Sequence, residues 1–534
     1  MSDQDTQDVS LLAASSRTEN LQVQILDQSP VLLEANPGVD SAEQYVADDL
    51  LQEQLARLFL MPAEPTQEDR GPLAVRWACE RLAAGNSPRE LGNAVIAEAA
   101  RAHSPLSDNT GHGAGPANVS ALLAAATCSV ELAERHENSI RQAAATDTES
   151  ARVSAVLVVA LAATTFGSAQ PKQALLPNRH EHPSTALADF WQATSEGKST
   201  QAARSWLQLA EMDSTEAHNA LLSAAATRFC VDEQPLILAA LLSLSTPPRE
   251  LRHQLLAGVV EQIAKLEIDE ELALDQRMQA QFLAEDAQNR SPQTEGRLER
   301  ASNERLSALA TGIARTPQEQ LEPLLLASLE EGLSPEDLAD TLALLRAAAF
   351  SVTSSGQNSS HSDHNQADYK QVEQVEHVAL RACIAADAVR LCMATTLPLS
   401  LRYELALAAP TSPAAGILAP LAELWVPPFD SSGLADTLLA LGEADPEASA
   451  EAATAIDPLD HESTDTAWCA IRRATASDCS LRMQRLVQVT ALERGFRASS
   501  HPAKIWFLSA AARTAANSRL HRGALAELAE DTLS

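Results

Sequence analysis

The sequence predicts an all-α protein: helical hairpins packed as an irregular bundle or an α-solenoid, behind a disordered acidic N-terminal tail. Three observations predict it. A small polar residue followed by proline and then by an acidic or amide residue recurs along the chain. Between these marks apolar residues, mostly Ala and Leu, repeat at helical spacing. Runs of alternating Val, Ile, Thr and aromatic residues, the mark of strands, are missing.

The recurring device stands at Ser87-Pro88-Arg89-Glu90, Thr316-Pro317-Gln318-Glu319, Ser334-Pro335-Glu336-Asp337 and Asp445-Pro446-Glu447. The small polar side chain accepts from the free N–H groups of a first turn. Proline suits that turn because its missing N–H would have had no partner. A carboxylate there favours the positive end of the helix. Gly85 and Gly332 each lie two residues ahead of such a start, where a preceding helix would close in the left-handed conformation. Gly197 marks a comparable turn. Roughly twenty helices of ordinary length are expected.

In chain order, residues 1–40 are polar and without a sustained period, and are read as the disordered tail. Ser41 with Gln44 forms a capping-box pattern that opens an N-terminal helical half, 41–286. Its most apolar stretch, Ala155 to Phe166, falls short of the ~20 residues a membrane span needs, so it is read as a buried core helix. A long amphipathic stretch from Pro248 to Ala287 leads to a polar linker at 287–300. A C-terminal helical half, 301–534, follows, with a flexible low-complexity insertion at 353–368. One continuous superhelix interrupted by loops is the alternative to two halves. Ala121–Thr127 resembles Ala220–Thr227, but no fixed period joins such echoes, and Ala-rich helices resemble one another by composition alone.

Composition excludes several functions. The 534 residues carry 39 Lys+Arg against 72 Asp+Glu, a formal charge of −33, with 45% hydrophobic residues. The apolar fraction is that of a folded chain. Phosphate binding needs clustered Lys and Arg, so nucleic acid is not an expected partner, and neither is an anionic membrane surface. The start, MSDQDTQDVS, has neither the basic nor the apolar segment of a secretory leader. Seven scattered cysteines (79, 128, 230, 383, 392, 469 and 479) contain no C-x-x-C pair. They are expected to be buried, reduced thiols acting as small apolar residues, which points to the cytoplasm.

Candidate chemistry is sparse. No phosphate-binding P-loop, no G-x-S-x-G elbow and no H-E-x-x-H pair occurs. The cluster Gly111-His112-Gly113-Ala114-Gly115 lacks the strand a dinucleotide fingerprint requires and reads as a loop before a helix. His180 and His182 lie in a Pro-flanked loop, and His361 and His364 in the flexible insertion. Asp457, Asp460, His461, Glu462 and Asp465 form the densest polar group, read as a solvated interhelical loop. Trp191, Trp206, Trp425, Trp468 and Trp506 are expected to anchor helix contacts.

Five histidines stand out by position. His103, His112, His218, His377 and His501 sit at the start, or in His103 the end, of small-residue helices. Imidazoles placed so could converge on one divalent transition metal. Helix starts attract polar residues in any case, and that weighs against convergence. Two functions follow from different classes. One is a non-catalytic scaffold or adaptor that binds a protein partner through a helical surface, needs no cofactor, and by charge favours a basic partner. The alternative is a metal-dependent enzyme or cofactor-assisting protein built on those five histidines.

Overall fold

Twenty-one α-helices, and no strand among the described residues, make up the computed structural model of the chain. It describes residues 67–102, 116–138, 144–166, 175–179, 182–244, 249–268, 270–290, 301–352, 366–411, 427–478, 483–520 and 523–533, with positions 51, 54, 55 and 58. The expected tail, the Ser41–Gln44 cap, His180, Trp425 and Cys479 lie outside these residues, as do most of the polar linker and the insertion.

The helices are α1 (Gln67–Ala83), α2 (Pro88–Ala102), α3 (Pro116–Asn138) and α4 (Ala144–Phe166), then α5 (Pro183–Ser195), α6 (Ser199–Met212) and α7 (Ser214–Ala226). There follow α8 (Gln234–Leu244), α9 (Arg249–Lys265) and α10 (Glu270–Arg290), then α11 (Asn303–Arg315), α12 (Gln318–Glu330) and α13 (Pro335–Val352). The last group is α14 (Gln366–Met393), α15 (Leu399–Ala408), α16 (Gly433–Glu443), α17 (Pro446–Thr454), α18 (His461–Ala476), α19 (Gln484–Ala498), α20 (Ile505–Leu520) and α21 (Ala524–Leu533).

The helix starts form as local chemistry dictates. Ser87 Oγ accepts the Glu90 N–H at 3.2 Å while Glu90 Oε2 accepts the Ser87 N–H at 2.9 Å, a reciprocal capping box at α2. Asp445 accepts from Glu447 and Ala448 at the head of α17, and Ser334 accepts from Asp337 at the head of α13. Gly85, Gly197 and Gly332 take φ of 103°, 69° and 89°, closing the helices before them. The Thr316 site departs from expectation. There α12 begins one residue later, behind Pro317, and the Thr316 hydroxyl donates back to the Gly312 carbonyl at 2.7 Å, which makes it the end of α11.

Two other boundaries differ. The stretch from Pro248 to Ala287 divides into α9 and α10, and α10 runs on to Arg290. Helix α14 begins at Gln366, inside the expected insertion, because QADYKQVEQVE is polar yet built largely of good helix formers.

Val46–Ser534 forms one compact unit. Helix α4 packs against α1, α2, α3, α18 and α21. Its window Thr148–Thr165 is long and apolar enough to cross a membrane by length and composition, and 67% of that window is buried inside the protein. Helices far apart in sequence meet: α21 packs on α1, α19 on α3, α14 on α8, and α15 on both α7 and α10. Small residues permit such close approach. A Cβ built on Gly495 would stand 2.7 Å from Phe507 Cε1, so α19 and α20 touch at that glycine. Trp206 and Trp468 are buried to 2% and 0% exposure as anchors, and Trp206 Nε1 donates to the Ala217 carbonyl at 2.8 Å, tying α6 to α7.

Candidate functional site

The five histidines can now be placed in part. His103 and His112, with the glycine cluster around His112, lie outside the described residues. His377 does not stand at a helix start: it lies inside α14, eleven residues beyond Gln366, because the polar run before it is itself helical. His218 lies in the second turn of α7. Burial, reinforced by the Arg252 guanidinium, pushes its pKa down to about 4. His501 is 2% exposed in the turn ahead of α20, where its Nδ1 accepts the Ala503 N–H at 3.0 Å. That hydrogen bond gives it a backbone-capping role. Burial lowers its pKa, while Asp340 and the Leu306 carbonyl draw the other way. Among the described residues no group of three or more His, Cys, Asp or Glu side chains is arranged to hold a metal ion.

One pattern escaped the sequence reading. Glu250-Leu-Arg-His253 on α9 has the Glu-x-x-His spacing of metal-binding bundles. Here His253 meets the Trp206 ring edge-on at 6.0 Å, and burial with Arg249 and Arg252 lowers its pKa to about 4. It belongs to an aromatic contact.

The polar group at 457–465 is a capped turn. Asp460 accepts from the Glu462 and Ser463 amides and from the Ser463 hydroxyl at the head of α18, while Asp465 accepts Arg497 at 3.1 Å. Of the cysteines, 79, 128, 383 and 392 are buried, and burial carries the Cys128 and Cys392 thiols up to about 12. Cys230 departs from expectation. It is exposed, in the turn between α7 and α8, and Cys469 of α18 is likewise only half-buried.

The densest charge constellation is buried and was not foreseen. Glu493 on α19, 1% exposed, accepts Arg472 of α18 at 2.8 Å, Arg135 of α3 at 2.9 Å and its own neighbour Arg497 at 2.8 Å. Burial alone would raise its pKa; the three guanidiniums override burial and hold the carboxyl well below the usual range. Beside it Arg494 bridges Glu131 of α3 and Asp387 of α14. Arg390 then joins Asp387 at 3.6 Å to Asp340 of α13 at 3.1 Å. Every member is matched to an opposite charge, so the seam binds five helices together rather than offering a vacant charge to a ligand.

A second carboxylate is less well matched. Glu404 on α15 is 5% exposed, and both its oxygens accept the Ser223 hydroxyl of α7 at 2.9 Å. Burial raises its pKa to about 7, against the Ser223 hydrogen bond and the Arg277 charge. A concavity bounded by Ala124, Ile237, Ile384 and Val487, with Arg381 and two glutamines, encloses about 20 Å³, room for water and no more.

On α10, Leu274, Met278 and Phe282 are 55%, 60% and 65% exposed, one above another at four-residue spacing. The helix buries its opposite side, through Ala273, Ala280, Leu283, Ala284 and Ala287. At ~100° per residue the exposed three cover an arc of about 80°, and their Cα atoms span about 12 Å along the axis. Glu271, Asp275 and Glu285, all exposed, flank them. Three adjacent large side chains in water leave a patch of roughly a few hundred Å², in the range of the largest apolar patch on a monomer, which is often functional.

Comparison with known proteins adds no relative: no family model matches the chain, and neither a curated protein nor a solved structure shows significant similarity to it.

Proposed function

We propose that the chain is a non-catalytic helical scaffold or adaptor that holds a protein partner on the outward face of α10. The observation that carries the reading is the exposed ridge Leu274, Met278 and Phe282. Leaving three large apolar side chains in water brings no benefit to an isolated fold, whereas a partner that covers them recovers about 25 cal/mol for each Å² removed from water. Among the described residues, the paired charges of the ionic seam and a concavity with room for little more than water support the same reading. We read the helices as an irregular bundle rather than a solenoid. Contacts of α21 with α1 and of α19 with α3 support this, because solenoid units touch only their neighbours. The reading places the protein in a reducing compartment, with its buried free thiols as support.

The test is capture from the native cell extract at low salt, with the full chain as bait and the variant Leu274→Ser/Met278→Ser/Phe282→Ser beside it. One or more stoichiometric proteins are expected on the unaltered chain and absent from the variant, whose helix content by circular dichroism is unchanged. Capture that persists on the variant removes α10 as the contact face. An extract from which nothing co-purifies removes the adaptor reading.

A further inference from the structure

We infer that the occupant of the α10 face is a basic amphipathic helix, an inference that rests on the adaptor reading and gives the partner its chemistry. The ridge is straight, single-helix and spaced by four, which is the pattern met by a partner helix whose own apolar residues recur every three or four positions. Met278 lies at its centre, between Leu274 and Phe282, and an unbranched thioether adapts to side chains of different shape. The rim decides the sign of the partner. Asp275 and Glu285 border the ridge. The two cations of the same helix are engaged elsewhere: Arg277 lies over the Trp191 ring at 4.9 Å, and Arg290 pairs with Asp286 and donates to the Glu330 carbonyl.

That charge distribution argues against the two occupants nearest to hand. Residues 1–40 contain seven Asp and Glu and one Arg, so the chain's own N-terminal segment would bring like charge to an acidic rim. A second copy, laid antiparallel on α10, would set Glu271 and Asp275 against Glu285 across a two-fold axis, again acid on acid. Lysines and arginines flanking an apolar stripe meet both the ridge and the rim. The formal charge of −33 steers such a segment toward the protein at low salt.

The experiment uses two synthetic 20-residue helical peptides with one shared Leu stripe, one flanked by Lys and Arg and the other by Glu, each titrated against the full chain by fluorescence anisotropy. The basic peptide is expected to bind at least about tenfold more tightly than the acidic one, and to weaken as salt rises. Met278→Ser with Phe282→Ser should weaken the basic peptide at least about tenfold. The charge reversal Asp275→Lys with Glu285→Lys leaves the ridge intact and should narrow or invert the preference between the peptides. Leu439→Ser, at an exposed leucine of α16, is the control and should change nothing. Equal affinity for both peptides, an effect of the control as large as that of the ridge variant, or binding indifferent to the charge reversal overturns the inference. A native partner captured in a ridge-dependent way while the peptides fail to discriminate would leave the adaptor reading standing and the basic helix refuted.

Discussion

Glu493 receives Arg135 at 2.9 Å across a sequence separation that runs from α3 to α19, and the same carboxylate holds Arg472 and Arg497. Three guanidiniums thus share one buried acid, although Arg135 also pairs with Glu131 and Arg497 with Asp465. Glu493→Gln keeps the shape and removes the charge, which leaves Arg135 and Arg472 half-buried or buried without it. A cost of about 3 kcal/mol, the low end for a broken buried pair, is expected, because Arg135 and Arg497 keep Glu131 and Asp465 as partners. Urea unfolding followed by circular dichroism at pH 7 measures it. The pH dependence has a definite sign: a carboxyl whose folded pKa is depressed stabilises above its unfolded value near 4.5 and loses that contribution as pH falls below it. The variant should lose less stability than the unaltered chain between pH 5 and the acid transition.

Glu404 predicts the opposite slope. Its folded pKa of about 7 exceeds the ordinary 4.5, so between those values the folded chain keeps a proton that the unfolded chain has released. Stability from this group therefore declines as pH climbs from about 4.5 to 7, by up to roughly 3 kcal/mol, and does not recover above. The Glu404→Gln amide keeps a hydrogen-bond partner for Ser223 and carries no charge. It should raise the urea midpoint at pH 8 and leave it nearly unchanged at pH 4.5. An equal shift at both values would show that ionisation is not the cause.

The histidines offer a third, site-specific readout. His218 and His253 are both held near 4, far below the ordinary 6.5, by burial, with Arg252 acting on His218 and both Arg249 and Arg252 on His253. Their imidazole signals in NMR should titrate with midpoints near 4. Because the folded values are depressed, both groups take up protons more readily in the unfolded chain, and stability is lost as pH falls from about 6.5 toward 4. His253→Phe preserves an aromatic edge against Trp206 and should blunt that loss. A His253 midpoint near 6.5 would mean the ring reaches solvent.

What the sequence made legible divides along the range of the interactions. Capping is a matter of three or four residues, so Ser87 with Glu90 and Asp445 with its following amides could be read in advance. Thr316 could not, since the same hydroxyl serves the end of α11 as readily as the start of α12. Arg494 and Glu131 stand 363 positions apart, and nothing local distinguishes either from the other 110 charged residues. Glu404 was equally anonymous among 72 acids; its identity comes from what buries it. The ridge on α10 was visible as a spacing but hidden within one amphipathic stretch. A helix with apolar residues on two faces does not declare which of them the rest of the fold will cover.

Backbone conformation supplies the last prediction. Ala444 closes α16 with φ 56° and ψ 39°, and its N–H bonds the Leu441 carbonyl at 3.3 Å while the next amide reaches Ala440 at 3.1 Å. Gly332 closes α12 in the same region with φ 89°, and there the residue type matches the conformation. The methyl of Ala444 crowds the following carbonyl in the left-handed form, a penalty of about 1 kcal/mol that glycine does not carry. Ala444→Gly should therefore raise stability by roughly that amount, less the entropy glycine adds to the unfolded chain. Gly332→Ala should lower it by about 1–2 kcal/mol. Parallel urea titrations of the two variants check the pair. Opposite signs are required: a loss in both would mean that side-chain contacts at Ala444 outweigh its backbone strain.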